Sequence, residues 1–194
     1  MTDWEGCYLE NNTPWNRGAA SPPLIEWVRR ARPQGRALVP GCGLGHDVAM
    51  LAEAGVDAAG LDISATAIER AQAAHPGHQE RFVHGDLFAL PNPWLGTFDL
   101  VFEHTCLSGM PPEWRPKYRD AVAAALKPGG LLVGVWYVSP DMDPGESGPP
   151  FAISVAQLDD LFAGWQIVED YVPTVAYADR EGRERVRVLK PSVS

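Results

Sequence analysis

Apolar residues fall in short compact runs that alternate with segments of helical period. Ala37-Leu38-Val39 has the form of a buried parallel strand, and Val56–Leu61, Arg81–His84, Phe98–Phe102 and Leu131–Tyr137 repeat it. Gln166–Tyr171 and Arg185–Leu189 read as two last strands joined through a polar turn, Ala178–Gly182. Between the runs lie helical patterns. Leu24–Arg32 places Leu24, Ile25 and Val28 on one face, and Asp47–Ala54 follows the first strand. Ser64–Ala74 and Ser154–Phe162 each begin on a serine suited to an N-cap. Pro111–Leu126 is stopped by Lys127-Pro128-Gly129-Gly130. Strands alternating with helices predict an α/β fold, a doubly wound, mostly parallel sheet of seven strands with helices on both faces.

The first strand opens directly into Pro40-Gly41-Cys42-Gly43-Leu44-Gly45. Three glycines let the chain turn sharply and let a ligand lie against the backbone. Asp62 ends the second strand about 20 positions after Gly41, the spacing of a carboxylate that takes two ribose hydroxyls. This is the layout of a nucleoside-binding, Rossmann-like unit. Ligands of such sheets bind beyond the carboxyl ends of the strands. The residues expected there are Pro40-Gly41, Asp62, Asp86, Glu103 and Tyr137.

Composition narrows the ligand. A chain of 194 residues is expected to form one domain. The net charge is −9, and apart from Arg29-Arg30-Arg32 and a tail from Arg180 to Lys190 the basic residues are dispersed. Nucleic acid, which needs a concentrated basic surface, is not the expected partner. The tail, with Arg185-Val186-Arg187-Val188, reads as an exposed final strand with one wet face. Three cysteines, Cys7, Cys42 and Cys106, form no CxxC pair, and the five histidines show no metal spacing, so neither a disulfide framework nor a metal is expected. No apolar run approaches the ~18 residues of a membrane helix. Met1–Glu10 lacks an apolar signal core, so a cytoplasmic location is expected. Residues 1–23 carry Trp4, Tyr8 and Trp15, aromatics that need burial and so imply an ordered lead-in. Ser139–Phe151 is rich in Pro and Gly and long for a turn, which suggests a lid.

Two ligand classes compete for the glycine loop. A dinucleotide needs GxGxxG for its pyrophosphate, whereas Gly41 to Gly45 reads GxGxG. S-adenosylmethionine has no phosphate, and its sulfonium, ribose and adenine suit acidic and aromatic neighbours better. With those residues in place the chain resembles the class I S-adenosylmethionine-dependent methyltransferases, and more narrowly the family of thiopurine S-methyltransferases and halide/thiol methyltransferases. The resemblance covers nearly the whole chain. Its specific segments are Thr13-Pro14-Trp15, Pro40-Gly41-Cys42-Gly43 and Gly148-Pro149-Pro150-Phe151, in that order, with Leu126-Lys127-Pro128-Gly129-Gly130 between the last two. Many class I methyltransferases have an acidic residue where this chain has Pro40, and the narrower family shares the proline.

The resemblance implies S-adenosylmethionine as cofactor and a small-molecule methyl acceptor. It implies that Trp4, Tyr8 and Trp15 cover the cofactor, that Gly41 and Gly43 line its methionine portion, and that Asp62 holds the ribose. It also implies that Asp86 and Leu87 flank the adenine and that Glu103 stands at the end of strand four. An aromatic face near a sulfonium gains about 0.5–2 kcal/mol of cation–π attraction. Arg115 would draw an anionic substrate, and it reads equally as a solvated helix charge. Tyr137 would donate to a nucleophile, and His104 would serve as a base for a neutral thiol. Where relatives often carry Asp followed by aromatics, Glu103-His104-Thr105-Cys106 departs from the pattern, which leaves the acceptor open. A thiol, hydrosulfide or halide leads; oxygen, nitrogen, selenium or tellurium acceptors, and a nucleoside-binding module without catalysis, remain alternatives. A monomer is expected.

Overall fold

The computed structural model describes residues 2–138 and 148–192. Strands β1 (Arg36–Pro40), β2 (Asp57–Asp62), β3 (Phe82–His84), β4 (Phe98–His104), β5 (Leu126–Tyr137), β6 (Gln166–Tyr171) and β7 (Glu184–Lys190) form one sheet. Their order is β3-β2-β1-β4-β5-β7-β6. The first five strands run parallel, and β7 runs antiparallel to both β5 and β6. The order reverses at β1/β4, where the carboxyl ends of the parallel strands open into a crevice.

Helices α1 (Trp4–Leu9), α2 (Pro22–Ala31), α3 (His46–Glu53), α4 (Ala65–Ala74), α5 (Arg115–Ala125) and α6 (Val155–Leu161) cover the sheet. Two apolar clusters pack against it. One joins Leu38, Val101 and Leu132 to Tyr118 and Val122 of α5 and Leu158 of α6. The other joins Val39 and Phe102 to Leu24 and Trp27 of α2 and to Val48 and Leu51 of α3. Local chemistry sets the helix starts. Ser64 accepts the N–H of Ala67 at 3.0 Å, and Ser154 and Gln157 form a reciprocal capping box. Pro22, Pro23 and Pro116 sit in first turns, where a missing N–H costs nothing.

Three departures from the sequence reading bear on function. The N-terminal lead-in contains a short helix, α1, begun by Asp3 accepting the N–H of Gly6. Strand β4 runs on to His104, so Glu103 lies inside the strand. The tail strand β7 is not an exposed edge. It lies between β5 and β6, with Arg187 2 % and Glu184 1 % exposed. The alternation of Arg and Val, which reads as one wet face, is met instead by a buried Arg187 that reaches Asp159 and Asp170 nearer the surface. The lid expected over 139–151 lies outside the described residues from 139 to 147.

Candidate active site

A cavity of about 480 Å³ opens at the carboxyl rim of the sheet. Gly41 follows β1, Asp62 ends β2, Asp86 and Leu87 follow β3, Thr105 and Cys106 follow β4, and Tyr137 ends β5; all line it. Trp4, Tyr8 and Trp15 form the opposite wall. The Trp4 and Trp15 rings meet edge to face at 5.2 Å, and Trp15 Nε1–H donates to the Tyr8 hydroxyl at 3.1 Å. Helix α1 is fastened by Glu5. Its carboxylate accepts the hydroxyls of Ser64 and Thr66, each at 2.6 Å, and the N–H of Thr66 at 3.2 Å. A carboxylate there also meets the positive end of α4.

The glycine loop and Asp62 form one unit. Asp62 Oδ2 accepts the N–H of Gly43 at 2.8 Å and Oδ1 accepts the N–H of Ser64 at 2.9 Å. Burial pushes the Asp62 carboxyl above the usual range, against the pull of these two N–H groups. The carboxylate has acceptor capacity left beyond these bonds, and Asp62 lines the cavity. Gly41 and Gly43 have φ of +60° and +52°, and a Cβ on Gly43 would stand 2.8 Å from the Tyr8 hydroxyl. Only glycine lets both the backbone and Tyr8 occupy these places. Asp86 Oδ1 accepts the N–H of Phe88 at 2.8 Å, which leaves Oδ2 for a ligand amino group.

The structure does not bring four of the expected residues to this cavity: Glu103, Arg115, His104 and Gly43, the last two of which line a neighbouring recess. Glu103 is 1 % exposed; it accepts the N–H of Leu107 at 2.9 Å and the hydroxyl of Tyr118 at 2.5 Å. Burial raises the carboxyl of Glu103 and the phenol of Tyr118 alike. Glu103 therefore anchors the turn whose Thr105, Cys106, Ser108 and Met110 line the cavity. Arg115 is 6 % exposed and is neither a solvated helix charge nor a wall residue. Its Nη2 donates to the carbonyls of Phe151 and Ala152 at 3.2 and 2.8 Å. Phe151 N–H in turn donates to Ser108 at 2.7 Å. Arg115 thus pins the segment whose Pro149 and Pro150 form part of the wall. His104 lines a separate recess of about 60 Å³, which shares Tyr8, Trp15, Gly41 and Thr105 with the main cavity.

One residue enters the wall unannounced. Arg180 is 7 % exposed yet lines the cavity, its guanidinium 4.7 Å from the centre of the Tyr137 ring and 5.8 Å from that of Tyr177. Its Nη1 lies 3.4 Å from Glu184 Oε1 and 3.5 Å from His104 Nε2. The sequence signal was the pair Arg180 and Glu184, four apart at the entry to β7. Tyr137 lines the cavity as expected from its place at a strand end, with Arg180 against its ring.

These features fit an adenosine carrying a cationic amino-acid arm. The loop offers close backbone approach, Asp62 and Asp86 offer free acceptor positions, and the N-terminal aromatics offer faces for a cation. Among the described residues no cluster of His, Cys, Asp or Glu can hold a metal ion, and no helix is long and apolar enough to cross a membrane.

Comparison with known proteins agrees. Residues 1–190 match the family model described as thiopurine S-methyltransferase. Thiocyanate methyltransferase 1 of Brassica oleracea is 35 % identical over 191 residues, covering 94 % of this chain and 82 % of that protein. A probable thiol methyltransferase 2 of Arabidopsis thaliana is 32 % identical, covering 97 % and 84 %. Among solved structures, the 1,6-didemethyltoxoflavin N1-methyltransferase of Burkholderia thailandensis, with S-adenosylhomocysteine bound, aligns with a TM-score of 0.75 at 20 % identity, covering 98 % of this chain and 86 % of that one. That likeness is one of fold.

Proposed function

The chain belongs to the thiopurine S-methyltransferase family, and from that premise we propose that it methylates a small anionic nucleophile, a hydrosulfide or thiolate first and a halide second. It is an S-adenosylmethionine-dependent methyltransferase. Bound cofactor supplies a methyl group on a positively charged sulfur. In our reading Asp62 takes the ribose hydroxyls, Asp86 and Leu87 flank the adenine, and Gly41 and Gly43 admit the methionine arm. Trp4, Tyr8 and Trp15 cover the sulfonium and exclude water, so that attack by an anion on a cation occurs in a dry site.

Arg180 carries the anionic part of the proposal. A nearly buried guanidinium that reaches the cavity wall between two tyrosine rings attracts an anion and holds it for in-line attack. The acceptor lone pair becomes the new bond to carbon, and the electrons of the old carbon–sulfur bond stay on sulfur. No proton has to move. Tyr137, beside Arg180, is the group we assign as hydrogen-bond donor to the bound nucleophile. Glu103, Arg115 and Tyr118 hold the wall in place without touching substrate. A net charge of −9 supports a small molecule over nucleic acid as acceptor.

Thiocyanate and thiol methyltransferases among the relatives support sulfur as the acceptor atom. Initial rates for Arg180→Met against wild type test the reading. The Michaelis constant for hydrosulfide should rise at least about tenfold, the scale of a lost charge-assisted contact. An unchanged constant would remove the anion site from the account.

A further inference from the structure

Arg180 is held by groups that the transfer reaction itself does not use. Asp47 lies in the first turn of α3, and its Oδ1 accepts the N–H of Ser21 at 2.7 Å. Its Oδ2 lies 3.1 Å from Nδ1 of His104. Burial alone would raise the Asp47 carboxyl, but the His104 bond and the Ser21 N–H together hold it below the usual range. A carboxylate only accepts, so Nδ1 carries the hydrogen. The opposite ring nitrogen, Nε2, faces Arg180 Nη1 at 3.5 Å. A guanidinium only donates. The arrangement is satisfied by one form of His104, neutral, with Nδ1–H toward Asp47 and the Nε2 lone pair toward Arg180.

The surroundings complete the clamp. Tyr177 stacks on the His104 ring at 6.1 Å, and its hydroxyl donates to the carbonyl of Ala19 at 2.8 Å. Glu184 takes the same Nη1 from the other side, at 3.4 Å. The charged groups around His104 are therefore Asp47 from α3, Arg180 and Glu184 from the approach to β7 and its first residue, and Glu103 from its own strand. His104 and Asp47 are each less than 15 % exposed at the side chain: 12 % and 14 %.

We propose that the Asp47–His104 pair is a positioning device for Arg180, not a catalytic base, and that the acceptor must therefore arrive already deprotonated. This rests on the anionic reading of the acceptor given above. Two observations argue against the base role. His104 is among the residues that line the neighbouring recess and not the main cavity, and its Nε2 is already engaged by Arg180. A proton taken up on Nε2 would also set two donors against each other across 3.5 Å. What the pair does is fix one nitrogen of the guanidinium by a directed lone pair, which leaves the rest of the fork to the cavity. Small anions without a removable proton are then full substrates. Neutral alcohols and amines, which need a base, are not.

The sharpest variant is Asp47→Asn, which keeps size and shape. Ser21 N–H holds the amide oxygen, so the amide NH₂ faces His104 Nδ1 and forces the hydrogen onto Nε2, against Arg180. His104→Phe keeps the stack on Tyr177 but removes the lone pair. His104→Gln restores an acceptor near the place of Nε2. Binding of thiocyanate to protein saturated with S-adenosylhomocysteine is measured by calorimetry, with kcat and KM for iodide alongside. The expected result is anion affinity and acceptor KM weakened by about tenfold or more in Asp47→Asn and His104→Phe, with kcat at saturation and S-adenosylhomocysteine affinity within about twofold of wild type, and most of the loss recovered in His104→Gln. Thermal melting of each variant confirms folding. Unchanged thiocyanate affinity in folded Asp47→Asn and His104→Phe overturns the proposal. So does a loss of iodide kcat with KM intact, which would place the pair in the transfer step rather than in anion binding. If wild type binds no anion yet methylates a neutral oxygen or nitrogen, the functional reading itself has failed, a result distinct from either.

Discussion

The carboxylate of Asp62 accepts the backbone N–H of Gly43 at 2.8 Å, so the residue assigned to the ribose also holds the glycine loop in shape. Its second oxygen fixes Ser64, which caps α4 and receives Glu5 of α1. The proposed cofactor contact, the loop shape and the seating of the N-terminal aromatics thus share one side chain. Asp62→Ala should weaken S-adenosylhomocysteine binding by at least about tenfold, since a hydrogen bond to a charged group contributes ~1.5–3 kcal/mol. Calorimetric titration of the folded variant checks this. An affinity equal to wild type would defeat the ribose assignment.

Gly43 gives an independent view of the same loop. Its φ of +52° disfavours any side chain, and an added methyl would reach the Tyr8 hydroxyl at 2.8 Å. Gly43→Ala should cost on the order of 1–3 kcal/mol from backbone strain and should displace Tyr8 from Trp15. Chemical denaturation reads the first effect. A change in tryptophan fluorescence of the folded variant reads the second.

Arg115 is predicted to matter through the wall it pins. Arg115→Met keeps most of the buried volume but removes the charged donor from the carbonyls of Phe151 and Ala152, at ~1.5–3 kcal/mol, the scale of a hydrogen bond to a charged group. The melting temperature should fall, and KM for the acceptor should rise while S-adenosylhomocysteine affinity holds. A loss confined to kcat, with KM and stability unchanged, would instead place Arg115 in the chemistry.

Glu103 provides a pH test. Burial raises its carboxyl in the folded chain above the unfolded value of 4.5. The folded state therefore holds the proton more tightly than the unfolded state. The stability this contributes is complete below the unfolded value and is lost as pH rises through the folded one. Glu103→Gln has no such loss. Its stability relative to wild type should climb as pH rises from 4.5, measured by urea denaturation at a series of pH values. A difference that stays flat across that range would show that Glu103 is ionised in place at no cost.

The strand-by-strand order of the fold was legible because each parallel strand is buried on both faces and reads as a plain apolar run. The residues that we assign to the cofactor were legible as one cluster, because the glycine loop and the strand ends meet at the rim of an open parallel sheet. The acceptor half was not. Arg180 lies in the polar turn before β7, and nothing in Ala178–Gly182 says that Tyr137, over 40 residues earlier, will stack on it. Glu103 was misplaced because two more residues pair in β4 than the apolar run contains, which moves it from the rim into the core. Arg187 looked wet because sequence shows alternation but not the carboxylates of Asp159 and Asp170 that come to meet it. The type and place of His104 alone make it a candidate base or a structural histidine and do not choose between them. Its direction depends on Asp47, brought alongside by α3.

The most direct test of the whole account is methyl transfer from isotopically labelled S-adenosylmethionine to a panel of acceptors, with volatile and soluble products both collected for mass spectrometry. The panel holds hydrosulfide, small thiols, a thiopurine, thiocyanate, iodide, selenide, and a few phenols and amines. The account predicts label on sulfur first, on iodide at a lower rate, and none on neutral oxygen or nitrogen. Label on phenols or amines, with the anions untouched, would contradict it.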